Sequence, residues 1–114
     1  KIKDKNIRIK EIWAIINKRD NFNISHIHPN CFLSAAYYVK APDNCGRFII
    51  ENPNMAKKYA HPEIENKNEL NIEITGLDIE EGDLIIFPSY LPHKVGKNQS
   101  GEERIVISFN VDIN

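Results

Sequence analysis

Three histidines and one arginine are the residues of this chain whose types and spacing could support chemistry together. His26 and His28 are two positions apart in a segment with extended character, so their side chains are expected to point to the same side. His93 follows a later β-like segment, and Arg104 begins another. Imidazole binds first-row metals well, and three imidazoles leave coordination positions open for other ligands. The pattern therefore predicts a metal site with His26, His28 and His93 as its ligands.

Arg104 predicts a binding site for a carboxylate near that metal. Alternate positions of the predicted strand from Arg104 to Asn110 share one face, and the positions between them are apolar. An arginine that points into a fold costs free energy unless an anion pairs with it, and guanidinium binds carboxylates through two parallel hydrogen bonds. The alternative is that Arg104 pairs with Glu102 or Glu103 at the rim of the strand.

Short strands separated by turns are predicted to position these residues. The strands are expected at residues 7–16, 22–28, 32–39, 47–51, 70–75, 84–87, 93–95 and 104–111. Asn54–Glu69 is polar and is predicted to be a long loop, with one helical turn near Met55–Tyr59 and with His61 on the surface. Strands at this spacing favour an all-β fold, a β-sandwich or jelly roll, formed by one domain over residues 1–114.

Composition narrows the function classes. The chain has 114 residues, with 15 Lys and Arg against 16 Asp and Glu, so its charge gives no reason to expect nucleic acid or an anionic membrane as a partner. No apolar run approaches the roughly 18 residues of a membrane span, and no signal-peptide pattern is present. Cys31 and Cys45 are too few for a disulfide scaffold, although a single bridge between them is an alternative. A reduced, cytoplasmic setting is expected.

Five segments resemble the superfamily of 2-oxoglutarate- and iron(II)-dependent dioxygenases, and more narrowly a group of oxygenases of marine bacteria and their phages. The segments are His26–Asn30, Leu33–Val39, Gly46–Pro53, Gly82–Val95 and Glu103–Asn110. The resemblance extends from Trp13 onward and implies a double-stranded β-helix, a cupin-like jelly roll, that uses Fe(II) with 2-oxoglutarate as co-substrate. Members of the superfamily are usually longer at the N-terminus, so this chain is expected to lack some of their N-terminal elements.

The resemblance also implies roles for individual residues. His26 matches the first ligand of the superfamily's metal motif, and His93 matches its distal histidine. Arg104 would hold the far carboxylate of 2-oxoglutarate, and Tyr38 matches a position that often presents a hydroxyl to the same carboxylate. Ser108 is a weaker co-substrate ligand, because the usual pattern would place a hydroxyl at Val106.

His28 departs from the superfamily, which usually has Asp or Glu at this position. Three interpretations follow: His28 is a true third ligand, or it points away and leaves two histidines with water or an anion, or the site prefers zinc or nickel. An imidazole in place of a carboxylate makes the site more positive by one charge and changes the properties of the metal.

The expected activity is hydroxylation of a small-molecule or peptidyl substrate, with residues 54–69 and the strand around Trp13 as walls of its pocket. Two other functions stay open. One is a cupin-like metal enzyme that uses no oxo acid, and the other is a non-catalytic binding module. Exposed strand edges in such folds need cover, and a homodimer would provide it.

Overall fold

Eight strands and no helix make up the part of the chain that the computed structural model describes, residues 6–54, 65–66 and 74–113. The strands are β1 (Ile7–Asn17), β2 (Asn23–His26), β3 (Leu33–Lys40), β4 (Phe48–Glu51), β5 (Ile74–Leu77), β6 (Leu84–Pro88), β7 (His93–Val95) and β8 (Arg104–Ile113). Within those residues, no helix is both long and apolar enough to span a membrane.

The strands form two four-stranded antiparallel sheets. Sheet A has the order β1-β8-β3-β6, and sheet B has the order β2-β7-β4-β5. Strands that follow one another in sequence alternate between the sheets for most of the chain, which is the topology of a double-stranded β-helix. The predicted all-β, cupin-like jelly roll is confirmed.

Strand β8 shows how sequence alternation creates the interior. The even-numbered positions from Arg104 to Asn110 are buried between the sheets, while Ile105, Ile107 and Phe109 are half-buried on the outer face. Ser108 lies between Trp13 of β1 and Ala36 of β3 in the register of sheet A. A period of two residues therefore directs the polar side chains of this strand into the fold.

The apolar core is small and divided into two clusters. One is formed by Ala36, Tyr38 and Val106 of sheet A. The other joins Phe48 and Val95 of sheet B to Phe87 of sheet A, whose ring lies 5.2 Å from that of Phe48. Both clusters lie between the sheets.

Several predicted boundaries needed correction. Strand β2 ends at His26, so His28 lies in the following loop and not on a strand with His26, because Pro29 and Asn30 (φ 61°) begin a turn there. The strand expected at residues 70–75 is described only from Ile74 and continues to Leu77. The predicted helical turn at Met55–Tyr59 and the surface position of His61 lie outside the described residues. Cys31 and Cys45 are both free thiols.

Candidate active site

The three histidines lie together at one end of the space between the sheets. His26 ends β2 and His93 begins β7, where the two residues are paired across the strands. His28 reaches the same place from the loop after β2, and its Nε2 lies 3.2 Å from Nε2 of His93. The ligand atoms of all three residues lie within 4.8 Å of one another. Two imidazole nitrogens about 2.0–2.1 Å from one tetrahedral ion would be about 3.3–3.4 Å apart, so the His28–His93 pair has a suitable separation.

Backbone carbonyls fix the orientation of two of these rings. Nδ1 of His26 donates a hydrogen bond to the carbonyl of Ile24 at 2.8 Å, and Nδ1 of His93 donates to that of Leu91 at 2.9 Å. A proton on Nδ1 leaves Nε2 with a free electron pair, which is the form that binds a metal. The His28 ring is supported differently, because it stacks on Trp13 with a centroid distance of 5.8 Å.

The surroundings favour the neutral form of two of these imidazoles, His28 and His93. Burial lowers the pKa of His93 to about 4, against a smaller opposite effect of the Leu91 carbonyl. Burial also lowers the pKa of His28, assisted by the nearby imidazole of His26. Neutral imidazole is the form that coordinates metals, so at neutral pH neither His28 nor His93 has to lose a proton before binding.

Arg104 is fully buried and only partly satisfied by the protein. Its Nη1 donates hydrogen bonds to the carbonyls of Cys45 and Gly96, the latter at 3.1 Å. Its Nε and Nη2 are buried and have no hydrogen-bond partner among the described residues. Burial lowers the pKa of the guanidinium, which shows the cost of holding this charge away from water. The alternative pairing with Glu102 or Glu103 at the strand rim is wrong for this structure.

Gly46 leaves space for this guanidinium, a role that the sequence did not predict. Its backbone has a φ of 97°, a conformation that side chains disfavour, and a Cβ atom there would collide with the carbonyl oxygen of Gly96 and with Nη1 of Arg104. The turn chemistry around Cys45-Gly46 predicts a loop, but not that this loop supplies the Cys45 carbonyl as a hydrogen-bond acceptor for Arg104.

One cavity joins the arginine to the histidines. It has a volume of about 70 Å³, and its walls include all three histidines together with Tyr38, Arg104 and Ser108. Burial raises the pKa of Tyr38 to about 12, so its hydroxyl stays protonated at neutral pH and can donate a hydrogen bond. The structure thus brings all six predicted site residues to a single cavity.

A chain of hydrogen bonds in the interior leads to the backbone of His28. The sequence did not predict it. The Ser34 hydroxyl donates to Oδ1 of Asn110 at 3.0 Å and lies 3.0 Å from the Ser89 hydroxyl. Nδ2 of Asn110 donates to the Glu11 carboxylate at 2.8 Å, and the backbone N–H of His28 donates to the Ser89 carbonyl at 3.0 Å. The only signal in the sequence was the presence of polar residues at inward positions.

Comparisons with known proteins agree with this geometry. Residues 11–110 match a family model described as "Putative 2OG-Fe(II) oxygenase". No relative was found among curated proteins.

Similar folds occur among solved structures, all at low sequence identity. An oxidoreductase of the 2OG-Fe(II) oxygenase family from Burkholderia pseudomallei aligns with a TM-score of 0.73 and 12% identity, over 95% of this chain and 46% of its own. A prolyl-4-hydroxylase from Pseudomonas putida aligns with a TM-score of 0.61 and 16% identity, over 87% of this chain and 49% of its own. A cupin domain from Bordetella pertussis aligns with a TM-score of 0.54 and 10% identity, and the alignment covers 95% of this chain and 93% of the cupin domain. The chain thus spans about half the length of the two oxygenases.

Proposed function

Because the chain belongs to the 2OG-Fe(II) oxygenase family, we propose that it catalyses an Fe(II)- and 2-oxoglutarate-dependent hydroxylation at the cavity between its two sheets. In this proposal His26, His28 and His93 hold the iron, Arg104 and Tyr38 bind the far carboxylate of 2-oxoglutarate, and Ser108 is a further polar contact. The observation that carries it is the pair of unpartnered N–H groups on the buried guanidinium of Arg104.

The donor set fits both groups. Three imidazole side chains suit a divalent first-row metal. A carboxylate that accepts hydrogen bonds from Nε and Nη2 of Arg104 would satisfy both orphaned donors and neutralise a buried charge. When bound, Fe(II) and 2-oxoglutarate would supply oxidising chemistry with O₂, in which one oxygen atom enters the substrate and the other enters the succinate that forms as the co-substrate loses carbon dioxide.

In this proposal the residues of the chain bind and orient the co-substrate, and they exclude water from the cavity. Arg104 would hold one carboxylate of the co-substrate in the cavity that it shares with the three histidines. The protonated hydroxyl of Tyr38 donates to the same carboxylate. Phe48 and Phe87 are buried against the ring of His93, where they would exclude water from this side of a bound metal.

A groove next to His28 is the proposed approach for the substrate. It has a volume of about 520 Å³ and is formed by the Ile27–Leu33 loop together with Pro88 and Tyr90. Within the described part of the chain no Asp, Glu, Lys or Arg lines this groove, which favours an uncharged part of a small-molecule or peptidyl substrate at this place. The free thiols of Cys31 and Cys45 and the need for reduced iron support a cytoplasmic location.

The test is anaerobic reconstitution with Fe(II), followed by titration with 2-oxoglutarate. We expect tight iron binding, and a visible absorption band should develop when the oxo acid chelates the metal. His93→Ala should lose both signals. Iron binding without any response to 2-oxoglutarate would favour a cupin-like enzyme that uses no oxo acid. Absence of tight iron, with no difference between the parent and His93→Ala, would instead indicate a non-catalytic binding module.

A further inference from the structure

The third histidine of the site lies in a loop, whereas the other two belong to strands. His26 and His93 are paired across β2 and β7, and their rings are oriented by backbone carbonyls. The ring of His28 has one hydrogen bond among the described residues, the contact of its Nε2 with His93. A bound metal would occupy that nitrogen. The position of His28 therefore has to be set through its backbone and through packing.

Ser89 holds the loop that carries His28, residues 28–32, at both of its ends. The backbone N–H of His28 donates to the Ser89 carbonyl at 3.0 Å, and the N–H of Ser89 donates to the carbonyl of Phe32 at 3.2 Å. Within the loop, the Cys31 thiol donates to the Ser89 hydroxyl at 3.1 Å. Ser89 itself is 2% exposed. One buried residue thus contacts the first, the fourth and the last residue of the loop.

Ser89 also belongs to the turn that leads to His93. This turn follows β6, and it is closed by a hydrogen bond from the N–H of Leu91 to the carbonyl of Pro88 at 3.0 Å. The carbonyl of Leu91 accepts the hydrogen bond from Nδ1 of His93 at 2.9 Å. The segments that carry His28 and His93 are therefore joined at Ser89, and the two Nε2 atoms lie 3.2 Å apart.

The hydroxyl of Ser89 has a fixed direction because it belongs to a chain of hydrogen bonds that ends on a carboxylate. The Glu11 carboxylate only accepts, so Nδ2 of Asn110 donates to it at 2.8 Å and Oδ1 of Asn110 faces Ser34. The single hydroxyl proton of Ser34 goes to that Oδ1 at 3.0 Å. In the 3.0 Å contact between the two hydroxyls Ser89 is consequently the donor, and its oxygen is left to accept from Cys31. Each bond polarises the next, so the chain holds the Ser89 side chain in one orientation.

We propose that Ser89 is a positioning residue of the metal site and sets the place of the His28 imidazole. The inference rests on the proposed function, because it concerns a ligand of the metal proposed there. Ser34, Ser89 and Asn110 are each at most 4% exposed. Buried polar side chains are tolerated when they are paired, and here the pairing ends at the loop of His28. Residues that support metal ligands contribute about 10- to 100-fold to metal affinity.

The metal-free protein gives the first test. Trp13 is the only tryptophan of the chain, and its ring stacks on that of His28 at a centroid distance of 5.8 Å. Its fluorescence therefore reports the position of the His28 ring. Ser89→Ala removes the hydroxyl and keeps both backbone hydrogen bonds. We expect the emission of this variant to shift in the same direction as that of His28→Ala. An emission equal to that of the parent would overturn the proposal.

Metal affinity gives the second test, with Zn²⁺ as the probe and a competing chelator as the indicator. Ser89→Ala should weaken Zn²⁺ binding about 10-fold. In a His28→Ala background the same substitution should have no further effect, because a positioning residue acts only through the residue that it positions. An equal loss in both backgrounds would also contradict the proposal and would show that Ser89 acts through general stability.

Ser100→Ala is the matched control, since the Ser100 hydroxyl is also bonded within the protein, to Asn98 at 2.6 Å, but lies in the loop before β8. It should leave emission and affinity unchanged, and circular dichroism confirms that each variant is folded. Cys31→Ala breaks the same thiol–hydroxyl contact at a half-buried position and gives the same test should Ser89→Ala fail to fold. A parent that binds no Zn²⁺ would refute the proposed metal site, while the Trp13 emission would still decide the role of Ser89.

Discussion

The two faces of sheet A differ in the polarity of their side chains, and the difference is the reverse of that in most β-sandwiches. Its inner face buries Asn17, Ser34, Arg104, Ser108 and Asn110, whereas its outer face presents isoleucines, a leucine and aromatic rings to the exterior. Sandwiches usually place apolar residues between the sheets and polar residues outside. The inner face of this sheet therefore contributes less to an apolar core than its burial suggests.

The buried polar groups of the inner face differ in whether the protein itself satisfies their hydrogen bonds. Buried polar groups cost free energy unless they are paired, and Asn110 and Ser34 are paired within the protein. Arg104 keeps Nε and Nη2 without a partner among the described residues, and the proposed ligand would supply one. The outer face carries exposed apolar side chains instead. Substitutions on sheet A that affect ligand binding should therefore lie on its inner face.

The largest expected effect is that of Arg104→Met on the inner face. Methionine has a similar length but removes the charge and both orphaned donors. Loss of two charge-assisted hydrogen bonds should weaken 2-oxoglutarate binding roughly 100- to 1,000-fold. The ligand-free variant should be at least as stable as the parent, because a buried charge without an anion is costly. Calorimetric titration and thermal unfolding measure the two effects.

Arg19→Met is the control for loss of positive charge, because Arg19 is exposed between β1 and β2. It should leave the affinity for 2-oxoglutarate unchanged. If Arg104→Met bound the co-substrate as tightly as the parent, Arg104 would not be its carboxylate ligand. The difference in polarity between the two faces would then not be related to ligand binding.

A smaller effect is expected for His28→Ala, which tests whether the third imidazole is a ligand. The affinity for Fe(II) should fall by about 100-fold, since even residues that only support ligands contribute about 10- to 100-fold. His28→Asp should restore binding, because it places at this position the carboxylate that the superfamily usually has. Competition with a fluorescent chelator under anaerobic conditions measures both variants.

Ile27→Ala is the matched control, because Ile27 lies between the two histidines and is 53% exposed. Its metal affinity should equal that of the parent. Unchanged affinity in His28→Ala would mean that His26 and His93 suffice, with water or an anion as the third ligand. A preference of the parent for Zn²⁺ or Ni²⁺ beyond the normal order of affinities would support the interpretation that the site is not built for iron.

Much of the fold and of the site could be predicted, because alternation with a period of two is a local property. It put Arg104 and Ser108 on one face of β8, and the structure shows that this face points inward. Tyr38 was expected in the site from the resemblance, and it is buried on β3. Alternation also predicted that His28 lies on a strand with His26, but His28 reaches the cavity from the loop after that strand. The convergence of the histidines therefore depends on a turn and on stacking against Trp13.

Other features depend on contacts between distant parts of the chain. The carbonyl acceptors of Arg104 at Cys45 and Gly96 come from two separate loops, and no local pattern links them. The uncovered face of sheet A was also hidden, because alternation shows that a strand has an apolar side but not whether that side points inward or outward. On β8 the apolar side is the outer one.

The smallest expected effect separates the two faces within a single tyrosine pair. Tyr38 is 1% exposed on the inner face, and its neighbour Tyr37 is 40% exposed on the outer face. Tyr38→Phe removes only a hydroxyl that is proposed to donate to the co-substrate, so 2-oxoglutarate affinity should fall about 3- to 10-fold. Tyr37→Phe should leave that affinity unchanged. Equal losses in both variants would show that the hydroxyl acts through general stability and not through the ligand, whereas a loss confined to Tyr38→Phe would extend the division between the faces to adjacent residues of one strand.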